Sequence, residues 1–402
     1  MNRKFLIWEN PKQAILTLML VLMCVGCINV FSASFVAAED MFGNGFYYLF
    51  RYLIFGAIGF GLMLFISRMD YRILLNKKIV NAFFILVAGM LILVDVIGVT
   101  NKGAARWLYL GPVSIQPSEF AKLAVIMFTA RYLGRMMRYK QRISLISGDG
   151  VLAALQTVFY CLLVYKQPDL GTAAIIFALM MCIFIIAGIN MRQVMAIVGT
   201  AVAGAVALTI AAPYRMDRIK VWFDPWLDPR GDGYQMVQSL MAIGSGSLTG
   251  TNWGQGTGKF FYLPEAHTDF AFAIFCQENG LIGAALLILL FVILGCAFFR
   301  IAAQAKEERG FLLVSGVSFL VIGQAAANMA MVCGLFPVIG VPLVFISYGG
   351  TSMVVSMIAI GLALSVYNVE ARREAIEAEE GGLPHEERRG NLRFVDKGRW
   401  QR

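Results

Sequence analysis

The sequence predicts an all-α polytopic membrane protein of about ten spans, and three observations predict it. Hydrophobic residues fill 59% of the 402 positions and charged residues only 15%, where soluble domains carry about 25% charged residues. Several apolar runs exceed the roughly 18 residues that mark a membrane-spanning helix. Basic residues concentrate in alternate loops, which is the pattern that sets membrane orientation.

The expected spans cover 14–34, 50–67, 80–99, 118–134, 150–165, 171–189, 193–212, 270–298, 310–333 and 342–367. The first follows MNRKFLIWENPKQ and passes Ser32-Ala33-Ser34, which resembles a signal-peptide cleavage site. Its apolar run is longer than the roughly 7–15 residues of a signal core, so it reads as a span. The fifth is short, consistent with a tilted or partly re-entrant segment. With the N-terminus inside, the inner segments hold Arg3, Lys4 and Lys12, then Arg68, Arg72, Lys77 and Lys78, then Arg131, Arg135, Arg138, Lys140 and Arg142. Arg192, Arg300, Lys306 and Arg309 continue the series, whereas the outer segments hold only Lys102, Arg106, Lys166, Arg215, Arg218, Lys220, Arg230 and Lys259. Both termini are therefore expected in the cytoplasm, and the net charge of +9 reads as topology rather than nucleic-acid binding. Residues 1–367 form the expected membrane domain, and 368–402 a charged cytoplasmic tail expected to be disordered after a helical start.

The largest segment between spans is 213–269, between the seventh and eighth, expected outside. Asp-Pro steps and an Arg-Gly-Asp-Gly run mark turns in it. QMVQSLMAI (235–243) has helical apolar spacing. The glycine-rich GSGSLTGTNWGQGTGK that follows fits neither G-x-G-x-x-G nor a P-loop, since Phe260 stands where a P-loop has Ser or Thr. It reads as a tightly turning loop. The seven cysteines lie in apolar stretches without metal-site or disulfide spacing, as small packing residues do.

Glu265, His267 and Asp269 fall within YLPEAHTDFAF, at the lip of the eighth span. Thr268 or Asp269 could simply cap that helix. His267 and Asp269 could instead ligate a metal, if the chain there is extended. Asp269 could also act as a general base, which requires partial burial to raise its basicity. Other polar groups gather at the outer ends of spans: Arg106, Glu119, Lys122 and Asp169, with Glu278 about 13 Å deeper than Asp269. Glu119 and Lys122, at i and i+3, could pair with each other or bind substrate. Clustering at the outer leaflet, rather than at the midplane where transport sites usually lie, suits an amphiphile whose head group is outside.

Five stretches together resemble the SEDS family of bacterial division, elongation and sporulation proteins, which includes FtsW, RodA and SpoVE. They are ARWLYLGPVSIQPSEFAKL (105–123), QPDLGTA (167–173), DPWLDPRGDGYQMVQSLMAIGSG (224–246), KFFYLPEAHTDFAFA (259–273) and GLFPVIGVPLVFISYGGTS (334–352). The resemblance covers about residues 12–370. PEAHTDF is similar to the FtsW and SpoVE form and VIGVPLVFISYGG to the RodA and SpoVE form, with the balance leaning to FtsW. Gln277 before Glu278, Ser247 and Val344 depart from the usual Glu, Gly and Pro.

The resemblance implies a peptidoglycan glycosyltransferase in the bacterial cytoplasmic membrane, at the division septum on the FtsW reading. It would polymerise lipid II beside a class B penicillin-binding protein and other divisome or elongasome proteins. It also implies that Asp269 is the essential acid. Polymerisation needs a base for the acceptor hydroxyl and cations for the departing diphosphate. Asp269 is the candidate base; Arg106, Lys122, Arg215, Arg218 and Lys220 are the candidate cations, with Glu119, Asp169, Glu265 and His267 as further substrate contacts. A divalent cation, Mg or Mn, could share the work, although the sequence does not require one. Two rivals remain: a lipid II flippase, using Asp95, Gln324 and Asn328, and a scaffold that only activates the transpeptidase.

Overall fold

The computed structural model describes residues 10–382 apart from 102–103, 112, 147, 211–219 and 261–262. Asn10 opens the first helix, α1 (Pro11–Phe42), by accepting from the Lys12 amide at 2.9 Å, with Pro11 in the first turn. Then come α2 (Tyr47–Arg68), a single turn α3 (Tyr71–Leu74) and α4 (Lys77–Ile97). α5 (Pro117–Arg138), α6 (Asp149–Lys166), α7 (Leu170–Ile186) and α8 (Met191–Ile210) complete the first part. After the loop helix α9 (Tyr234–Ser245) follow α10 (Ala271–Gln304), α11 (Glu308–Ser318), α12 (Gln324–Val332) and α13 (Gly350–Gly382).

Helical segments coincide with all the expected spans among the described residues, and seven are long and apolar enough to cross a membrane. α5 falls short because Glu119, Lys122, Arg131, Arg135 and Arg138 dilute it. It is instead the centre of the bundle, buried along most of its length and packed against α4, α6, α7 and α11. α13 lies along α2, and α1 along α10. The outward side chains of the long helices are themselves apolar, for example Phe50, Ile54, Phe65, Ile85, Leu162, Leu286 and Phe299, as lipid contact requires.

Four features correct or extend the expectation. First, the protein is not wholly α. Strands β1 (Val99–Asn101), β2 (Ala104–Leu110) and β3 (Val113–Ile115) form an antiparallel sheet between α4 and α5. Within β2, Leu108 is buried and Tyr109 exposed, the alternation of a half-covered strand. Gly111, at φ +63°, makes the turn into β3.

Second, the last span does not begin at 342. Helix α13 starts at Gly350, and Pro337 and Pro342 keep 335–349 irregular. Val341, Leu343, Val344, Phe345, Ile346 and Ser347 are nevertheless buried. At the other end α13 runs past 367 to Gly382, and the disorder expected further along the tail falls on 383–402, outside the described residues. Third, a π-helical turn, Phe319–Gly323, joins α11 to α12.

Fourth, α10 is broken at Gly280 (φ +63°, ψ −168°). The glycine-rich loop fills the break. The Thr251 and Asn252 amides donate to the Gln277 and Glu278 carbonyls at 3.0 and 3.1 Å, and the Leu281 and Ile282 amides to the Ser247 and Leu248 carbonyls at 3.0 and 3.1 Å. A Cβ at Gly246 would lie 2.2 Å from the Cys276 carbonyl oxygen, and one at Gly250 2.1 Å from that of Glu278. Close backbone approach, not phosphate binding, explains these glycines. α9 spans the predicted 235–243 and buries Met236, Val237, Ser239 and Ala242. The described cysteines are all free.

Candidate active site

Asp269 stands one residue before the cap position of α10. That position is Phe270, which offers no side-chain cap. Glu265 (φ +55°) folds the chain back, so that its carbonyl takes the Thr268 and Phe270 amides at 3.1 and 3.2 Å. Thr268 Oγ1 donates to Glu265 Oε2 at 2.8 Å rather than into the helix end. Asp269 is thereby held half-buried in the turn, its carbonyl accepting from Asn328 Nδ2 at 2.7 Å. Its Oδ2 lies 3.6 Å from where Gly340 would carry a Cβ.

The irregular segment 335–349 is the hub that joins the sequence-predicted residues. Asn328 bridges it to Asp269, donating also to the Val341 carbonyl at 2.6 Å. Gln324 donates to the Pro342 carbonyl at 3.3 Å and accepts from Lys122 Nζ at 2.8 Å. Lys122 in turn pairs with Glu119 at 2.7 Å, and both side chains are almost wholly buried. The start of α7 packs on the same segment, since a Cβ at Gly171 would meet the Ile339 carbonyl oxygen at 2.2 Å. Asp169 caps α7, accepting from the Thr172 amide at 3.1 Å and from Thr172 Oγ1 at 2.9 Å. Arg106, on β2, lies 3.9 Å from Asp169 and donates to the Gln167 and Pro168 carbonyls.

On the other flank the Tyr348 amide donates to the His267 carbonyl at 2.8 Å. The His267 ring packs on Tyr48, centroids 4.3 Å apart, and Tyr48 on Tyr348 at 5.0 Å. Burial pushes the His267 imidazole below its ordinary value although the Glu265 carboxylate pulls it up. His267 is therefore neutral near pH 7.

Of the candidate cations, Arg106 keeps a third of its side chain exposed, and Lys220 is exposed on a short helical stretch, 220–223. Lys122 is internal, and Arg215 and Arg218 lie outside the described residues. Sequence reasoning passed over Arg51, Tyr48, Tyr348, Lys259 and Ser32. Arg51 is a charge at a span end, and Lys259 and Tyr348 fall within the stretches that carry the family resemblance. Among the described residues no three His, Cys, Asp or Glu side chains gather to hold a metal.

A half-buried acid beside a buried polar hub, inside a many-helix bundle with apolar outer faces, marks a membrane-embedded protein. The chain belongs to the FtsW/RodA/SpoVE family, described as cell cycle proteins, whose model matches residues 12–372. It is 38% identical over 361 residues to stage V sporulation protein E of Bacillus subtilis (strain 168), covering 89% of this chain and 97% of that one. It is 36% identical over 362 residues to the probable peptidoglycan glycosyltransferase FtsW of Geobacter sp. (strain M18), with the same coverages. Among solved structures it resembles a peptidoglycan synthase complex that coordinates polymerization and crosslinking (TM-score 0.75, 25% identity, 91% of this chain and 99% of that one). The rod shape determining protein RodA of Thermus thermophilus shares the fold (TM-score 0.65, 24% identity, 91% and 98% covered).

Proposed function

We propose that the protein is a peptidoglycan glycosyltransferase that polymerises lipid II at the outer face of the bacterial cytoplasmic membrane. It crosses the membrane ten times, with both termini inside and 213–269 outside. It works with a class B penicillin-binding protein and other divisome or elongasome proteins, and its place is the division septum.

The observation that carries this reading is the setting of Asp269: off the helix, half-buried, and fixed by Asn328 to the segment that also meets Lys122 and the Arg106–Asp169 end of α7. A carboxylate so held can take the proton of an acceptor hydroxyl as that oxygen attacks the anomeric carbon and the diphosphate leaves. Arg106 and Lys220 would offset the charge of that leaving group, as would Arg215 and Arg218, which lie outside the described residues. A divalent cation, Mg or Mn, would arrive on the diphosphate. Glu265 and His267 shape the turn, and Glu119, Lys122 and Asp169 fix the elements behind it, so their part in substrate binding is through position.

The flippase reading draws less support. Asp95 pairs with Lys166 at 3.4 Å, while Gln324 and Asn328 are engaged by Lys122 and by backbone carbonyls. The test is polymerisation of labelled lipid II by wild type and Asp269→Asn, with a β-lactam-inhibited partner present. Glycan ladders from wild type alone support the proposal. Equal ladders from both remove Asp269 as base. No ladder from either favours a flippase or a scaffold.

A further inference from the structure

A second charged cluster lies away from the hub, wholly inside the protein. Lys259 Nζ pairs with Glu278 Oε1 at 3.0 Å, and their side chains are 5% and 0% exposed. Ser32 Oγ of α1 donates to Glu278 Oε1 and Oε2 at 2.6 and 2.8 Å, and accepts from Lys259 Nζ at 3.1 Å. The Gly256 amide points at the same carboxylate, 3.4 Å from Oε1.

The location of this cluster matters. The break at Gly280 separates the half-helix 271–279 from the rest of α10. No continuous hydrogen-bond ladder aligns that half-helix, so its direction is set by what grips it from outside. Asn29 of α1 holds its start, donating to the Ala271 carbonyl at 3.1 Å. Glu278 holds its end, through Lys259 of the loop and Ser32 of α1. Asp269 lies two residues before its first turn.

Buried ion pairs are poor sources of stability, since apolar replacements of similar volume are often neutral or stabilising. Their directional contacts can fix geometry instead. We infer that Lys259 and Glu278 are positioning residues that hold the half-helix, and with it Asp269, in the reactive orientation. The inference rests on Asp269 being the base.

The test uses the full chain with its β-lactam-inhibited partner, comparing Lys259→Met, Lys259→Arg and the apolar pair Lys259→Met/Glu278→Met. Turnover and apparent KM for lipid II are measured beside hydrogen exchange of the 265–279 peptide. Lys259→Met and the apolar pair should lose at least about tenfold in kcat with KM within about twofold, as expected when only the reactive geometry is lost. Exchange at 265–279 should quicken, and Lys259→Arg should recover most of both. The apolar pair serves where Lys259→Met does not fold. If the pair keeps wild-type kcat and exchange, the cluster is packing alone and the inference falls. If Asp269→Asn is as active as wild type, the choice of base fails, whereas the exchange data still judge the clamp.

Discussion

Asp269 carries the sharpest expectation at the scale of single residues. Its replacement by Asn keeps size and the Asn328 contact, which is made to the backbone. The loss should therefore be chemical, about 10²–10⁴-fold in polymerisation rate, read from glycan ladders with unchanged melting. His267 offers a separate check through pH. Burial lowers its folded-state value from the ordinary 6.5. The unfolded chain therefore takes up a proton first as pH falls, and stability is lost from about 6.5 down to the folded value, then levels off. His267→Phe keeps a ring against Tyr48 and should flatten that part of the melting-temperature profile between about pH 7.5 and 5. A slope that persists in the variant would assign it to another group.

The glycines separate two kinds of constraint at the scale of elements. Gly280 has a backbone conformation open essentially to glycine alone, and a Cβ there would meet Gly250 N at 2.4 Å and Leu248 O at 2.5 Å. Backbone cannot move aside cheaply, so Gly280→Ala should cost more than the ~1–3 kcal/mol of strain alone and reduce folded yield. Gly340 also has positive φ, yet its added methyl would stop 3.6 Å from Asp269 Oδ2. Gly340→Ala should cost roughly 1 kcal/mol in melting measurements while slowing turnover, because the methyl enters the space before the carboxylate. A Gly340→Ala protein with full activity would show that substrate does not approach Asp269 from that side.

Across the whole molecule, buried charge is joined to assembly. Lys122→Met leaves the Glu119 carboxylate buried without its cation, a loss of about 3–5 kcal/mol. Adding Glu119→Gln should return most of the lost thermal stability; failure to do so would mean that Lys122 acts chiefly through Gln324. The sequence already displayed the apolar runs, the loop helix at 235–243 and the Glu119–Lys122 spacing, because each is a local pattern. It could not display the break at Gly280 or the irregular stretch 335–349. Pro337 and Pro342 were local signs of the second, but the course of both depends on partners far away, Ser247 and Leu248 for one and Tyr52, Gln324 and Asn328 for the other. For the same reason Asp269 was legible as a reactive acid, whereas Tyr48 and Tyr348, brought against His267 by α2 and by the stretch 335–349, were not.

The stretch 335–349 also governs how the protein can be made. Its carbonyls at Val341, Pro342 and Phe345 find their donors on Asn328, Gln324 and Tyr52, side chains of α12 and α2 rather than of its own segment. Hydrocarbon offers no substitute donor. A nascent chain whose first two helices have been removed would therefore leave part of this stretch bare at membrane depth. The stretch can take its final course only once both α2 and α12 are in place. A half-made copy has no complete reactive centre and cannot act on substrate before its membrane frame is closed.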